Sequence, residues 1–351
     1  MKVYRFGNTK INVKRDTLSK MIDAAVSRQE FTKRDIFRDA GVSSASAVKL
    51  LTALNGCRFT RSKFNYPAGS KPFTSHSFSD NLSILVIDLS LPRYSMSIIC
   101  RQTGCRFYHT YSYNPLMTFR ENISAFLIKE CQKAVDQPFG IAAICLIYAD
   151  RKDLDMSAFS GSVAHLPSKS DLEKIALDIG SIFGVMPILK LTNAQAIKSA
   201  IDYGLIEAIP KHSAATYIYV GSSVSVFYEP AQGEPIVCDI KNILINDHET
   251  LSALLDDTMS SEGLGRALYR IVNFTHCAYS APRYVIEYDS LKFGAKTLRE
   301  LKRAFVISGE ALPEITALNH CPGLSHLGAA AASTAKLIGK HVTAASKKSL
   351  E

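Results

Sequence analysis

No stretch of the 351-residue chain reaches the roughly 18 consecutive apolar residues that cross a bilayer, and its most apolar run, Gly140 to Ala149, is too short. Met1 to Lys20 is polar and shows no basic start followed by an apolar segment and a small-residue cleavage site, so a cytoplasmic protein without membrane contact is expected. Eight cysteines (Cys57, Cys100, Cys105, Cys131, Cys145, Cys238, Cys277, Cys321) stand singly, with no C-x-C or C-x-x-C pair. Structural zinc needs ligands at tight spacing, and a disulfide framework belongs to short exported chains. Free thiols are therefore expected, most of them small core residues, with no metal and no other cofactor.

Excess charge is also missing from most of the chain. Residues 81–351 hold 26 Lys and Arg against 26 Asp and Glu, whereas residues 1–80 hold 15 against 6. A basic small segment fused to a neutral large one suggests a polyanionic partner for the small one. With 47% hydrophobic and 21% charged residues and a mean hydropathy near zero, the whole reads as a globular protein of more than one domain.

In the basic segment Leu18, Met21, Ile22, Ala25 and Val26 recur at one-face helical spacing, which predicts a first helix starting after Asp16 or Thr17 as cap. Thr32-Lys33-Arg34-Asp35 is a cap with an acidic residue three positions on, opening a second helix with Ile36, Phe37 and Ala40 inward. Gly41 breaks that helix, Val42 plugs the core, and Ser43 caps a third helix to about Asn55 with Ala47, Leu50, Leu51 and Leu54 inward. Three helices with a glycine turn before the third form a helix-turn-helix pattern, whose third helix enters the major groove of DNA. Ala45, Ser46, Lys49 and Thr52 point outward from it. From Cys57 to Ser79 aromatic, basic and serine residues alternate around a turn near 67–71, which predicts a β-hairpin, the wing. The expected DNA contacts are Thr32, Lys33, Arg34, Ser43, Ser44, Ala45, Ser46 and Lys49, with Arg58, Arg61, Lys63 and Lys71 of the wing reaching phosphates or the minor groove.

The remainder alternates strands and helices. Strands are expected at Ser83 to Asp88, Tyr94 to Cys100, Arg106 to Tyr111, Ile141 to Tyr148 and Pro187 to Leu191, with helices at Thr118 to Val135 and Ser170 to Phe183. A helix from Asn193 to Ile209 leads to strands at Thr216 to Val220, Val224 to Tyr228, Pro235 to Asp239 and Val285 to Tyr288, with helices near 249–260 and 264–276. Each block begins with a hairpin and continues into helices, which predicts a duplicated α/β fold with a ligand-binding cleft between two lobes.

Winged helix followed by such a fold, together with Ile84 to Ser90 (ILVIDLS), Leu189 to Ser199 (LKLTNAQAIKS), Tyr217 to Val226 (YIYVGSSVSV), Gly328-Ala329-Ala330 and Gly69-Ser70-Lys71-Pro72, resembles the ROK family of repressors and sugar kinases. The resemblance implies a winged helix-turn-helix over 1–80, an actin-like lobe over 81–190 completed by a C-terminal helix at 325–345, and a second lobe over 191–324.

The departures fall where that family does its chemistry. The first phosphate loop resembles D-x-G-G-T but reads Asp88-Leu89-Ser90-Leu91-Pro92, without the glycines that let backbone N–H groups approach a phosphate. Asn193 of Thr192-Asn193-Ala194-Gln195 stands where the family has its general-base Asp, and an amide cannot take the sugar hydroxyl's proton. The second phosphate loop keeps only Gly221 before Ser222 and Ser223. The family's zinc-binding cysteines and its G-E-x-G-H motif have no counterpart between Glu229 and His248, and His248 itself reads as a surface residue near a helix start. The expectation is a DNA-binding regulator, a repressor by resemblance, that does not catalyse. Its degenerate kinase-like domain senses a sugar or sugar derivative, or only holds a homodimer together. Asp88, Asn193, Gln195, Gly221, Ser222 and Ser223 line the expected cleft. A ROK-type sugar kinase with unusual motifs is the alternative, and a protein-interaction module a third. The polar terminus Ser346 to Glu351 is expected to be unstructured.

Overall fold

A computed structural model describes the chain except residues 1, 7, 8, 90–92, 113, 115, 138, 139, 149–168, 185, 208, 221–223, 239–243, 247, 248, 251–259, 289–293, 320, 321 and 348–351. It opens with a hairpin absent from the sequence expectation, β1 (Lys2–Phe6) paired antiparallel with β2 (Thr9–Val13). The signal was there, since KVYRF-GN-TKINV alternates around Gly-Asn, a common two-residue hairpin turn. Ile11 and Val13 are buried.

The helix-turn-helix follows as expected in outline. α1 spans Arg15–Val26, earlier than the predicted start: Lys14 is its N-cap, without a side-chain capping bond, and Asp16 sits inside the first turn. A short strand β3 (Glu30–Thr32) leads into α2 (Lys33–Ala40), and α3 is Ser44–Gly56. Phe37, expected inside, is 47% exposed. The i, i+4 stripe of α2 runs through Ile36 and Ala40, and Phe37 lies 100° round from it. Ala47, Leu50, Leu51 and Leu54 are all buried. β4 (Thr60–Asn65) and β5 (Phe73–Phe78) form the wing, with β3 added on the far side of β5.

The larger segment contains two five-stranded sheets of the same design. In the first, β6 (Ser83–Asp88), β7 (Arg93–Cys100) and β8 (Gly104–Ser112) run antiparallel, and β9 (Ile141–Tyr148) and β10 (Ile188–Thr192) continue in parallel from β6. In the second, β11 (Ala215–Val220), β12 (Val224–Glu229) and β13 (Ile236–Val237) are the antiparallel part. There β16 (Arg283–Tyr288) and β17 (Glu314–Leu318) extend in parallel from β11. This repeat is the expected duplication.

Between and around the sheets lie α4 (Phe119–Phe126), which continues through a π-helical turn at Leu127–Cys131 into α5 (Gln132–Val135), then α6 (Lys169–Phe183) and α7 (Asn193–Asp202). α8 (Ser261–Tyr279), α9 (Ala295–Ser308) and α10 (Leu324–Lys347) complete the helices. The helix expected to reach Ile209 stops at Asp202, where Gly204 takes φ 62° and turns the chain. Glu249–Thr250, expected to open a helix, is instead β15, paired with β14 (Leu244–Asn246); residues 251–259 lie outside the described residues, as does His248. α10 runs to Lys347, so Ser346 belongs to a helix and not to an unstructured tail. Among the described residues no helix is long and apolar enough to cross a membrane.

One continuous core joins the N-terminal segment to the first lobe. It runs from Ile11, Met21, Phe31, Ile36, Leu50 and Leu54 through Leu82, Ile84, Val86, Cys145 and Ile147 to Ala329, Ala330 and Ile338 of α10. The winged helix is therefore not a bead on a tether. α10 crosses α7 at Gly328, where a Cβ would stand 1.9 Å from the Ala196 carbonyl oxygen and 2.7 Å from the Ala200 nitrogen. Both obstacles are helix backbone, which cannot swing away as a side chain can.

Gly328→Ala should accordingly separate two helices and lower stability by about 3 kcal/mol, read as a lower urea midpoint with an unchanged slope. A second expectation concerns Glu229 at the end of β12, which is fully buried with neither oxygen hydrogen-bonded. Desolvation pushes its pKa up to about 8, against the opposing pull of Lys198. Between its ordinary value and about 8 the folded chain holds a proton that the unfolded chain has released, so this group's contribution to stability falls as pH rises through that window. Glu229→Gln should match the wild type near pH 4 and exceed it increasingly towards pH 8 in urea denaturation.

Candidate nucleic-acid interface and ligand cleft

Each turn of the helix-turn-helix is closed by side chains identifiable in the sequence. The Thr32 N–H and hydroxyl both donate to Asp35 Oδ2 at 2.8 Å, and the Asp35 N–H donates back to Thr32 Oγ1 at 3.3 Å, a full capping box. Gly41 takes φ 61°, the left-handed conformation that ends α2. Ser43 Oγ accepts from the Ser46 N–H at 3.2 Å and caps α3. Thr32 and Ser43 are thus occupied in building the turns. Ser44, Ala45, Lys49 and Thr52 are left exposed on α3, Ser46 is half-buried, and Lys33 and Arg34 are exposed on the first turn of α2.

The wing stands beside α3 and is tied to it. Asn55, in the last turn of α3, donates to Ser62 Oγ at 2.8 Å and accepts from the Thr60 hydroxyl. Arg58, between helix and wing, is exposed and holds φ 59°, an unusual conformation for a residue with a side chain. Arg61 pairs with Asp80 at 3.2 Å, which moderates its charge, while Lys63 and Lys71 are exposed.

The electrostatics of this face follow from where the acids go. Asp35 is held in its capping box, Asp39 pairs with Arg28 at 2.7 Å and with Arg38 at 3.1 Å, and Asp80 takes Arg61 and Arg106. Asp23 accepts from the Tyr203 hydroxyl at 3.2 Å, and burial raises its pKa. Lys33, Arg34, Lys49, Lys63 and Lys71 have no ion-pair partner among the described residues. Five of the six carboxylates of residues 1–80 are engaged, Glu30 by the Ser75 hydroxyl, while Asp16 of α1 is exposed without a partner among the described residues, and a cationic face of helix and hairpin remains.

Contacts with the larger domain fix how that face is presented. Arg101, in the β7–β8 turn, is buried and donates through Nε and Nη2 to the Val26 carbonyl at 3.0 and 2.7 Å. That carbonyl belongs to the last turn of α1, the negative end of the helix dipole. Desolvation lowers the guanidinium's pKa only to about 10, so it stays charged. Lys211 donates to Ser27 Oγ at 2.6 Å, and Phe59 meets His341 of α10 edge to face.

In the interlobe region, Asp88 ends β6 and Leu89 is buried, its N–H bonded to the Ile147 carbonyl at 2.9 Å. His326 of α10 lies 3.7 Å from Asp88 and is hydrogen-bonded to Ser95 Oγ through Nε2 at 2.8 Å and to Ser97 Oγ through Nδ1 at 2.7 Å. Complete burial pushes its pKa down to about 3, so the ring is neutral and the Asp88 contact is not an ion pair. Tyr217 donates to Glu287, whose other oxygen accepts from the Leu324 N–H at 2.9 Å at the start of α10. Desolvation raises the Glu287 pKa, and Asp88 adds to the rise by repulsion, so the first strands of both lobes converge here.

Asn193 and Gln195 sit at the start of α7. Gln195 Oε1 accepts from the Thr192 N–H at 3.0 Å, so half its amide is committed to capping. Asn193 Oδ1 is enclosed and has no hydrogen-bond partner among the described residues. Gly221, Ser222 and Ser223 lie outside the described residues. Among the described residues no group of three or more His, Cys, Asp or Glu is placed to hold a metal ion, and the described cysteines are free.

Sequence reasoning missed Arg101, Tyr203, Glu287 and the His326 set. Only Ser95 and Ser97 carried a signal, since their alternation with Tyr94, Met96 and Ile98 puts both hydroxyls on one face of β7. The other four become neighbours only through pairings distant in sequence.

No protein-family model matches the chain, and no curated protein matches it. Solved structures do. A ROK family transcriptional regulator, a homologue of the E. coli Mlc protein, superposes with a TM-score of 0.62 at 11% identity over 93% of this chain and 98% of its own. A candidate N-acetylmannosamine kinase from Listeria monocytogenes matches with TM-score 0.50 at 10% identity over 71% of this chain and 97% of its own. A ROK family glucokinase from Streptomyces griseus, solved with glucose and AMPPNP, has TM-score 0.50 and 10% identity over 71% of this chain and 98% of its own. The chain therefore has the fold of the ROK proteins, an actin-like two-lobed domain, in the arrangement that a regulator of that family carries over its full length.

Proposed function

We propose that the chain is a DNA-binding transcriptional regulator that works as a homodimer and has a non-catalytic, sugar-kinase-like sensor domain. The observation that carries this reading is the cationic face formed by α2, α3 and the wing, on a segment in which five of the six acids are engaged in caps, ion pairs or hydroxyl hydrogen bonds. The regulator likeness supports it by spanning 93% of the chain, where the kinase likenesses span 71%. α3 supplies small or polar side chains, Ser44, Ala45, Ser46, Lys49 and Thr52, for base edges in the major groove. Lys33, Arg34, Arg58, Arg61, Lys63 and Lys71 supply phosphate contacts, whose affinity falls with salt. Thr32 and Ser43 act by holding the turns. A repressor is the favoured direction of control.

The sensor reading rests on Asn193, whose enclosed Oδ1 has no hydrogen-bond partner among the described residues and could accept from a hydroxyl of a sugar or sugar derivative. Asp88, Gln195, Gly221, Ser222 and Ser223 complete the proposed cleft. Phosphoryl transfer is not proposed, because Asn193 has no proton-accepting carboxylate and the loop after Asp88 lacks both glycines.

Binding to duplexes from the chain's own upstream region, with unrelated duplex as competitor, tests this reading. Lys49→Ala should lose discrimination between the two duplexes, whereas Lys63→Ala should weaken binding to both and reduce the log-log salt slope by about 1. Absence of duplex binding at low salt would refute the regulator, and sugar-dependent ATP turnover would refute the non-catalytic domain. Arg101→Ala removes two charge-assisted hydrogen bonds, at a cost of about 2 kcal/mol. It should speed proteolysis between the winged helix and β6, and sugars that release the wild type from DNA should release this variant less.

A further inference from the structure

The wing carries a feature that phosphate contact does not explain. Phe64 is 68% exposed, Tyr66 76% and Phe73 46%, three large aromatic side chains grouped at the tip of one hairpin. β3 pairs only with Ser75–Ser77, so from the Phe64–Thr74 pair outward the hairpin leaves the sheet as a two-stranded ribbon. Gly69 turns it with φ 77°, and Pro67 and Pro72 stiffen its two sides. The rings lie on both faces. Phe64 shares a face with Ser62, which bonds to α3, while Phe73 pairs across from Asn65 on the face of Lys63.

Two further observations identify the occupant. Residues 60–79 contain Arg61, Lys63 and Lys71 and no Asp or Glu; Asp80 pairs with Arg61 and Glu30 accepts from Ser75 at the base of the hairpin, so the charge beside the aromatic tip is that of Lys63 and Lys71. A two-sided projection is also a poor match to a flat protein surface, which would cover one face and leave the other wet. A two-stranded ribbon is ~4.8 Å between backbones before its side chains are counted, whereas an undistorted minor groove is ~6 Å wide. Aromatic side chains on such a ribbon enter only if the groove opens.

We infer that the wing tip is an aromatic wedge, in which Phe64, Tyr66 and Phe73 enter the minor groove of bound duplex DNA, partly unstack a base step and bend the helix. Lys63 and Lys71 hold the flanking phosphates. Pyrimidine–purine steps, which unstack at least cost, are the preferred points of entry. Part of the sequence preference is then read through deformability, without hydrogen bonds from the wing to base edges. This inference rests on the DNA-binding reading and adds a mode of contact to it.

The test uses the full-length chain and a 40-base-pair duplex from its own upstream region, end-labelled for energy transfer. The same duplex is probed with permanganate, which attacks unstacked thymines. The wild type should shorten the end-to-end distance and create permanganate-reactive thymines within its footprint. The triple variant Phe64→Ala, Tyr66→Ala, Phe73→Ala keeps every charge. It should bind about tenfold more weakly with an unchanged salt slope, and lose both the bend and the reactivity. Lys63→Ala should reduce the salt slope and keep the reactivity. Because all three rings are exposed, the thermal midpoint should not move, and single variants stand in if it does. No binding by the wild type would overturn the DNA reading and the wedge together. Binding without bend or reactive thymines, a triple variant that still produces them, or a variant whose only change is its state of association in sedimentation would overturn the wedge alone.

Discussion

The structure depends on the close crossing of α10 and α7 at Gly328. There the backbones approach until no side chain fits between them, and α10 is thereby seated where it touches both large sheets and the N-terminal segment. Its first N–H bonds to Glu287 of the second sheet, and His326 in its first turn is fastened to Ser95 and Ser97 of the first. Its alanines pack on β6 and β9, and farther along it meets β1, α1 and Phe59. A helix near the end of the chain therefore packs on the first sheet, bonds to the second and supports the winged helix. A larger residue at 328 would disturb all three.

Arg101 does a related job from the other side. A buried guanidinium is costly, Arg101 has no carboxylate partner among the described residues, and it is accommodated by a carbonyl at the negative end of α1, where a cation is favoured. α7 adds a second connection. Its N-terminal end carries Asn193, and just past its C-terminal end Tyr203 bonds to Asp23 of α1. Ten residues of helix cover about 15 Å, so Asn193 and the winged helix are connected by a single rigid element. With the shared core of α1, α3, β6 and α10, this makes the basic face a fixed part of the molecule.

What could be read without coordinates was whatever depends on neighbours in the chain. Thr32 with Asp35, Gly41 and Ser43 place the helix-turn-helix because capping and left-handed turns are settled within four residues. The inward stripe of α3 held because helical periodicity is local. The start of α1 was misplaced because α1 has no side-chain cap, and packing decides its first turn. Phe37 was misassigned because three apolar residues in a short helix do not say which of them the core will accept. The β1–β2 hairpin carries a weak sequence signal, since its apolar residues are few.

The sequence by itself determined the basic helix-turn-helix with its wing and the duplicated strand-and-helix plan, because each is a matter of residue identity at short spacing. Only the tertiary structure decided that five of the six acids of the basic segment are engaged, that Arg101 and Tyr203 grip α1, and that His326 is buried and neutral beside Asp88. It also decided that three aromatic rings are left exposed beyond the edge of β3. Those facts depend on which distant segments meet, and a side chain's charge state, partner and exposure are properties of the meeting place.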